Sequence, residues 1–239
     1  MKKILLTGYT GFVGSRLKEE IENQYDLVLL GRSKSLKGNV FTCSLDAVSD
    51  YSEPLNSVTT VIHCAARVHV MTDASVDPLS EYREVNTLGT INLAEQAAQA
   101  GVKRFIFVSS IKVNGESTTG KAPFSSNSIP EPVDPYGISK YEAEQKLFEL
   151  GRNTGMEIVI IRPPMVYGEG VKANFASLLK AVGRGLPLPF RLISKNRRSL
   201  VSVYNLIDLL KVCIEHVEAA NQIFLVSDDN DLSTAEMVA

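Results

Sequence analysis

The 239-residue chain has no tryptophan, and only 7% of it is aromatic. Cysteine and histidine occur three times each, and the charges nearly cancel, leaving a formal net −2. Each scarcity excludes something. Cys43, Cys64 and Cys213 are odd in number, widely spaced and set among apolar neighbours. That pattern argues against a disulfide scaffold and against a metal cage, so no metal site is expected. They read as buried free thiols of a reducing compartment, and a cytoplasmic location is expected. The basic pairs Lys2-Lys3 and Arg197-Arg198 are too short to form tracts, so no nucleic-acid partner is expected. No stretch approaches the roughly 20 apolar residues of a membrane span, and no membrane partner is expected. Lys2-Lys3 begins like a signal peptide, but the apolar run after it stops at Thr7-Gly8, too early.

What remains is an ordinary globular composition, 44% hydrophobic and 22% charged. It suffices for one large core, or one core and a smaller lobe. The most informative stretch opens the chain. Ile4-Leu5-Leu6 runs into Thr7-Gly8-Tyr9-Thr10-Gly11-Phe12-Val13-Gly14, so a buried strand ends in a glycine turn and a helix begins at once. Such a turn aims backbone N–H groups and a helix N-terminus at one spot, a ready site for a pyrophosphate. Gly8 allows the tight turn, Gly11 lets phosphates approach the backbone, and Gly14 lets the helix pack on the strand. Thr10, Phe12 and Val13 complete the expected dinucleotide-binding segment.

Apolar runs alternate with segments of helical period along the chain. Strands are expected at Lys3–Thr7, Leu27–Leu30, Val40–Cys43, Thr60–His63, Arg104–Ser109 and Glu157–Arg162. Helices are expected near Gly11–Asn23, Pro78–Ala100 and Pro135–Asn153. Apolar strands without alternation, linked by helices, predict an α/β fold with a doubly wound parallel sheet of the Rossmann type. Ligands of such sheets bind at the carboxyl ends of the strands. After Arg162 the character changes, with Pro163-Pro164, Gly168-Glu169-Gly170, a helix near Asn174–Gly183 and Pro187-Leu-Pro189. A strand at Ser199–Val203, a helix near Asn205–Val217 and a strand at Ile223–Val226 follow.

Tyr136 and Lys140 are four residues apart, on one face of a helix. An adjacent ammonium favours a phenolate and lowers the tyrosine pKa from its usual value near 10, which makes Tyr136 a candidate general base. At the end of the second strand, NAD-binding sheets carry a carboxylate for the ribose 2′-hydroxyl. Here Gly31-Arg32 stands instead, and a guanidinium can pair with a 2′-phosphate. NADP is therefore favoured over NAD.

The Gly-x-x-Gly-x-x-Gly turn together with Tyr136-Gly-Ile-Ser-Lys140 resembles the extended short-chain dehydrogenase/reductase family. Within it, the whole chain from Met1 to Ala239 looks most like the bacterial nucleotide-sugar 4-epimerases and 4-ketoreductases. The resemblance implies an NAD(P)-dependent enzyme acting at C4 of a UDP-hexose through a 4-keto sugar. A non-catalytic redox-sensing regulator on the same fold is the alternative, although such proteins typically lose the Tyr/Lys pair. It implies that Lys140 also bonds the nicotinamide ribose, and that Ser110, with Ser109 beside it, bonds the reacting sugar oxygen. Ala65 and Ala66 in His63-Cys64-Ala65-Ala66 become the loop under the cofactor, and Pro163 a further cofactor contact. The adenine contact falls on Ser44 or on Asp46. His63 reads as a packed strand-end histidine, and Asn86 as a helix residue supporting the site. Asn174, Phe175 and Arg198 match segments that hold the nucleotide diphosphate. Asn114 stands where the family commonly has tyrosine.

By the same resemblance, residues 1–163 form the dinucleotide domain, joined again by about 199–217, and 164–198 with 218–239 form a partial substrate lobe. Ser233 and Glu236 read as the capping box of a last helix. Relatives continue well beyond Ala239, so the chain is expected to be truncated within that lobe. A homodimer is expected through helices 78–100 and 135–153, whose Tyr82, Val85, Leu88, Leu93, Ala97, Tyr141, Leu147 and Phe148 offer more apolar surface than one sheet face hides.

Overall fold

A computed structural model describes residues 1–32, 39–68, 77–171, 182–184 and 193–238. In chain order its strands are β1 (Lys3–Thr7), β2 (Asp26–Gly31), β3 (Val40–Thr42), β4 (Thr60–His63), β5 (Arg104–Val108), β6 (Glu157–Arg162), β7 (Met165–Tyr167), β8 (Leu200–Ser202) and β9 (Gln222–Leu225). The helices are α1 (Phe12–Ile21), α2 (Pro78–Arg83), α3 (Thr90–Gln99), α4 (Pro135–Thr154), α5 (Val203–Glu215) and α6 (Thr234–Met237). Seven strands form one sheet in the order β3-β2-β1-β4-β5-β6-β9, every neighbouring pair parallel. β7 and β8 make a separate parallel pair.

Residues that alternate along each strand go to opposite cores. Leu5, Val61, Phe105 and Ile158 pack with Leu93, Ala97, Ala143 and Leu147 of α3 and α4. Ile4, Leu6, Ile62 and Ile106 pack with Leu17 and Ile21 of α1 and with Leu206 and Leu210 of α5. Both faces being covered, the strands are apolar throughout, as a doubly wound Rossmann-type sheet requires. Polarity then cannot fix the register, because a one-residue slip exchanges one apolar set for another. The buried polar strand ends supply what polarity does not. Thr7 lies opposite His63 in the β1–β4 ladder, and Thr7 Oγ1 hydrogen-bonds His63 Nδ1 at 2.8 Å.

Three expectations change. The helix expected over 78–100 is continuous but not uniform: α2 and α3 are joined without a break by a widened π-helical turn at Glu84–Gly89. Gly89 there approaches the Leu45–Asp46 backbone so closely that a Cβ would lie 2.7 Å from Leu45 C. The strand of the 218–239 segment, β9, joins the main sheet beside β6 and so does not belong to a substrate lobe. Its Ile223 and Phe224 pack against the two cores. The apolar surplus that predicted a dimer is largely core: Tyr82, Leu93, Ala97 and Leu147 are buried within one chain.

Smaller differences have local causes. α5 starts at Val203, two residues before the expected Asn205, because the Ser202 side chain accepts from Tyr204 N. Cys213 is buried, while Cys43 and Cys64 are only half-buried, and all three are free. The capping box of α6 is present, Ser233 Oγ accepting from Glu236 N and Glu236 Oε2 from Ser233 N. This single turn leans on its neighbours: Ala235 N donates to Ile193 O, and Arg197 pairs with Glu236. Most of the 174–183 helix, and Pro187-Leu-Pro189, lie outside the described residues. Among the described residues, no helix is long and apolar enough to cross a membrane.

Candidate active site

The site begins where the sheet order reverses, between β1 and β4. Gly8 adopts φ +70°, and a Cβ there would sit 2.6 Å from Ala65 N. Gly11 N donates to Gly8 O at 2.8 Å, closing the turn, and a Cβ on Gly14 would lie 2.2 Å from the same oxygen. The three glycines are thus required by the close approach of two loops and a helix. No side chain caps the α1 N-terminus at Gly11, so its first N–H groups and the dipole face the cleft. A cavity beside this helix end is lined by Thr10, Gly11, Phe12, Ser15, Arg16, Glu19, Glu169 and Gly170. An uncapped helix end behind a cradle without Cβ atoms fits a dinucleotide pyrophosphate.

Beneath the turn lies a buried polar relay. Thr7 Oγ1 accepts from Ala65 N at 3.2 Å, and His63 Nε2 reaches Thr90 Oγ1 at 3.0 Å. His63 is fully buried and stacks on Phe107 at 5.7 Å. Burial, and then the Lys140 charge, push its pKa from 6.5 down to about 3. A neutral histidine with both nitrogens engaged serves packing. Asn86 pins the Ala65–Ala66 loop: its Oδ1 accepts from Arg67 N at 2.8 Å, and its Nδ2 donates to Arg67 O and Ser139 Oγ. The π turn aims Asn86 and Thr87 at α4, where Thr87 Oγ1 donates to Ser139 O.

Ser110, Tyr136 and Lys140 come together at the ends of β5 and α4. Ser110 caps a short 3₁₀ turn, its Oγ accepting from Lys112 N, and its hydroxyl lies near enough to the Tyr136 phenol to favour the phenolate. Asp134 caps α4, accepting from Gly137 N, and so orients the first turn that carries Tyr136. Pro163 lies alongside, its carbonyl accepting from Ile111 N at 3.0 Å.

One expectation fails here. Lys140 does not draw the Tyr136 pKa down. Its Nζ donates to Val108 O at 2.8 Å and lies 4.1 Å above the Phe107 ring. Tyr136 instead rises to about 12, through burial and then the nearby Asp134 and Tyr82, with the Ser110 hydroxyl pulling the other way. Burial lowers Lys140 to about 7, with the Glu144 carboxylate and then the Cys64 sulfur acting against it.

Sequence reasoning missed a second buried group behind this one. Ser109, the alternative to Ser110, turns inward and donates to Glu144 Oε1 at 2.5 Å. Glu144 is gripped by Arg162 through Nε at 3.0 Å and Nη2 at 2.5 Å, both side chains 2% exposed. Arg162 Nη1 donates to Asn114 Oδ1 at 3.0 Å, and Asn114 Nδ2 to Ser125 O. Asn114 therefore faces the interior. The available signal was a glutamate one turn past Lys140 on the same helix face, and an arginine closing an apolar strand.

The outlying candidates are dispersed. Arg32 is exposed at the end of β2, and the Tyr9 ring lies over Gly31, where a Cβ would meet it at 2.9 Å. Asp46 Oδ1 is committed to a turn, accepting from Val48 N and Ser49 N, while Ser44 is exposed beyond β3. Arg198 exchanges backbone hydrogen bonds with Leu232 and its side chain is exposed. Asn174 and Phe175 lie outside the described residues.

The relay makes stability depend on pH. Unfolded His63 takes up a proton below 6.5, and folded His63 only near 3. Its contribution is complete above 6.5 and declines as the pH falls, by about 2 kcal/mol at about pH 5. Urea titrations of wild type and His63→Gln at about pH 7 and about pH 5 should differ in their pH dependence by that amount. Equal dependence would show that His63 is protonated in the fold.

A sequence profile of the NAD dependent epimerase/dehydratase family matches residues 4–227. Over 242 residues the chain is 53% identical to the UDP-glucose 4-epimerase of Vibrio cholerae, covering 99% of this chain and 74% of that protein. Among solved structures, MoeE5 in complex with UDP-glucose and NAD aligns with a TM-score of 0.82 at 25% identity, over 98% of this chain and 79% of that one. The UDP-glucose 4-epimerase of Thermus thermophilus in complex with NAD gives 0.78 at 26% identity, over 99% and 81%. The span matched by the profile runs from β1 past β9, through both the glycine turn and the Tyr136–Lys140 helix, and the chain belongs to the NAD dependent epimerase/dehydratase family.

Proposed function

We propose that the chain is a UDP-hexose 4-epimerase that works through a 4-keto sugar. The observation that carries this reading is the placement of the Ser110 hydroxyl beside the Tyr136 phenol, near enough to favour its ionised form, one helical turn from the buried Lys140. The identity to the Vibrio cholerae UDP-glucose 4-epimerase over 99% of the chain supports it, as does the UDP-glucose and NAD in the MoeE5 complex.

Residues Gly8 to Gly14, Ala65, Ala66, Lys140 and Pro163 would hold a nicotinamide dinucleotide, which when bound supplies the hydride acceptor and a positive charge. Tyr136 takes the C4 hydroxyl proton and later returns it. Ser110 donates to the same oxygen, and its hydroxyl beside the phenol favours the phenolate. Lys140 braces the Val108 carbonyl and so holds the end of β5 against α4. Segment 164–198, with Asn174, Phe175 and Arg198, forms part of a substrate lobe and receives the nucleotide diphosphate. Retention of Ser110, Tyr136 and Lys140 argues against a non-catalytic regulator.

The test is interconversion of UDP-glucose and UDP-galactose. Tyr136→Phe should lower kcat by about 10²-fold or more with cofactor affinity nearly unchanged. Activity within a few-fold of wild type would remove Tyr136 from the reaction.

One observation favours NADPH, and with it a 4-ketoreductase as the second reading. β2 ends in Gly31-Arg32 without a carboxylate. Calorimetry should find NADPH bound more tightly than NADH, and Arg32→Ala should narrow the difference by about 1.5–3 kcal/mol. Equal wild-type affinities would overturn the preference and leave NAD, the cofactor of the two solved complexes, as the choice.

A homodimer through 78–100 and 135–153 belongs to the same reading, on a narrower patch. Leu88 is 40% exposed, and Val85, Tyr141 and Phe148 are half-buried. Light scattering should give a dimer mass, and a monomer mass would remove the interface.

A further inference from the structure

The buried Glu144–Arg162 pair has no part in the reaction just described, yet it sits directly behind it. Stability alone does not account for the pair. Removing two charges from water costs several kcal/mol per ion, and apolar replacements of such pairs are often neutral or stabilising. Its partners point elsewhere. Glu144 accepts the Ser109 hydroxyl, one residue from Ser110, and lies on α4 one turn beyond Lys140. Arg162 grips both Glu144 oxygens and reaches Asn114, just past the turn that Ser110 caps. The Ser109 backbone is tied on the other side, its N–H donating to Ile161 O at 2.7 Å. Ser110 is thus bracketed by groups anchored to one ion pair.

We propose that Glu144 and Arg162 are positioning residues: the pair fixes the Ser109–Ser110 strand end through the Ser109 hydroxyl, and Glu144, one turn beyond Lys140 on the same face of α4, supports the ammonium form of that lysine. Lys140 is surrounded by few polar groups. From β4 and the loop after it come His63 and Cys64, from β5 the Val108 carbonyl and the Phe107 ring, and from α4 Glu144, itself paired with Arg162 of β6. His63 is neutral, and burial raises the Cys64 thiol to about 12. Glu144 is therefore the carboxylate opposing the burial of Lys140. Losing it moves Lys140 towards the uncharged amine.

The inference rests on the proposed reaction, so it needs a reading in the chain itself. Lysine ¹³Cε NMR, with the Lys140 signal assigned by Lys140→Met, follows its ionisation without substrate. Glu144→Gln should lower the Lys140 titration midpoint by at least about one pH unit, a tenfold change in protonation equilibrium. The alkaline limb of kcat should fall with it, at a KM changed less than about twofold, and Glu144→Asp should restore most of the activity. Ser109→Ala, which keeps both charges, should lower kcat several-fold without moving the Lys140 titration. If Glu144→Gln does not fold, the double variant Glu144→Gln/Arg162→Gln removes both charges while keeping neutral hydrogen bonds, and the Lys140 titration should move in the same direction by less, because the lost Arg162 charge partly offsets the lost Glu144 charge. No turnover in wild type would overturn the epimerase reading and leave NMR to decide. An unmoved Lys140 titration would overturn the charge role of Glu144, and unchanged kcat in Ser109→Ala its positioning role.

Discussion

The close approach of the Gly8 and Ala65 backbones is the constraint on which the site depends. β1 and β4 are neighbours in the sheet, but their chains leave in opposite directions, one into α1 and one into the loop after His63. The two exits can lie in contact only because Gly8 has no Cβ and takes a positive φ. Moving them apart would lift α1 from its strand, since Gly14 rests on the Gly8 carbonyl. It would also break the link from Ala65 N to Thr7 Oγ1, and with it the relay to His63 and Thr90. The open helix end and the loop after β4 lie side by side as a consequence of this contact.

Two buried ionisable groups beneath the site meet the cost of desolvation in opposite ways. His63 gives up its charge: burial lowers its pKa to about 3, and two threonine hydroxyls engage its nitrogens. Glu144 is paired instead, Arg162 and Ser109 together satisfying its oxygens. The first solution makes a rigid neutral platform under the glycine turn. The second leaves fixed charges beside Lys140, where an ammonium would otherwise be disfavoured.

Tyr136 belongs to neither class. It is half-buried at a helix start, near the Asp134 carboxylate that caps the same helix and edge-on to the Tyr82 ring at 6.1 Å. Asp134 both sets the direction of α4 and opposes ionisation of the phenol. The Ser110 hydroxyl is the counterweight the chain provides. A phenol held near 12 is suited to give a proton; to take one it needs an added positive charge close by.

The sequence by itself determined the parallel sheet, because uninterrupted apolar strands separated by helical periods have few other ways to be covered. It also determined the glycine turn and the Tyr136–Lys140 face, since these are local: a tight turn and a four-residue helical spacing read the same in any fold. Tertiary structure decided what those groups do to one another. Lys140 is one turn from Tyr136 in sequence, yet its ammonium turns to the Val108 carbonyl, which only the packing of α4 on β5 brings within reach. Asn114 looks like a lost tyrosine until Arg162, 48 residues further on, is seen to hold it. Half of the apolar surplus of the 78–100 and 135–153 helices, Tyr82, Leu93, Ala97 and Leu147, is taken up by the core of one chain, which leaves only a narrower patch for a second copy. β9 returns from a region that reads as a separate lobe, because the open edge of β6 offers it backbone partners. In each case the deciding contact joins residues far apart in the chain, and no local pattern records it.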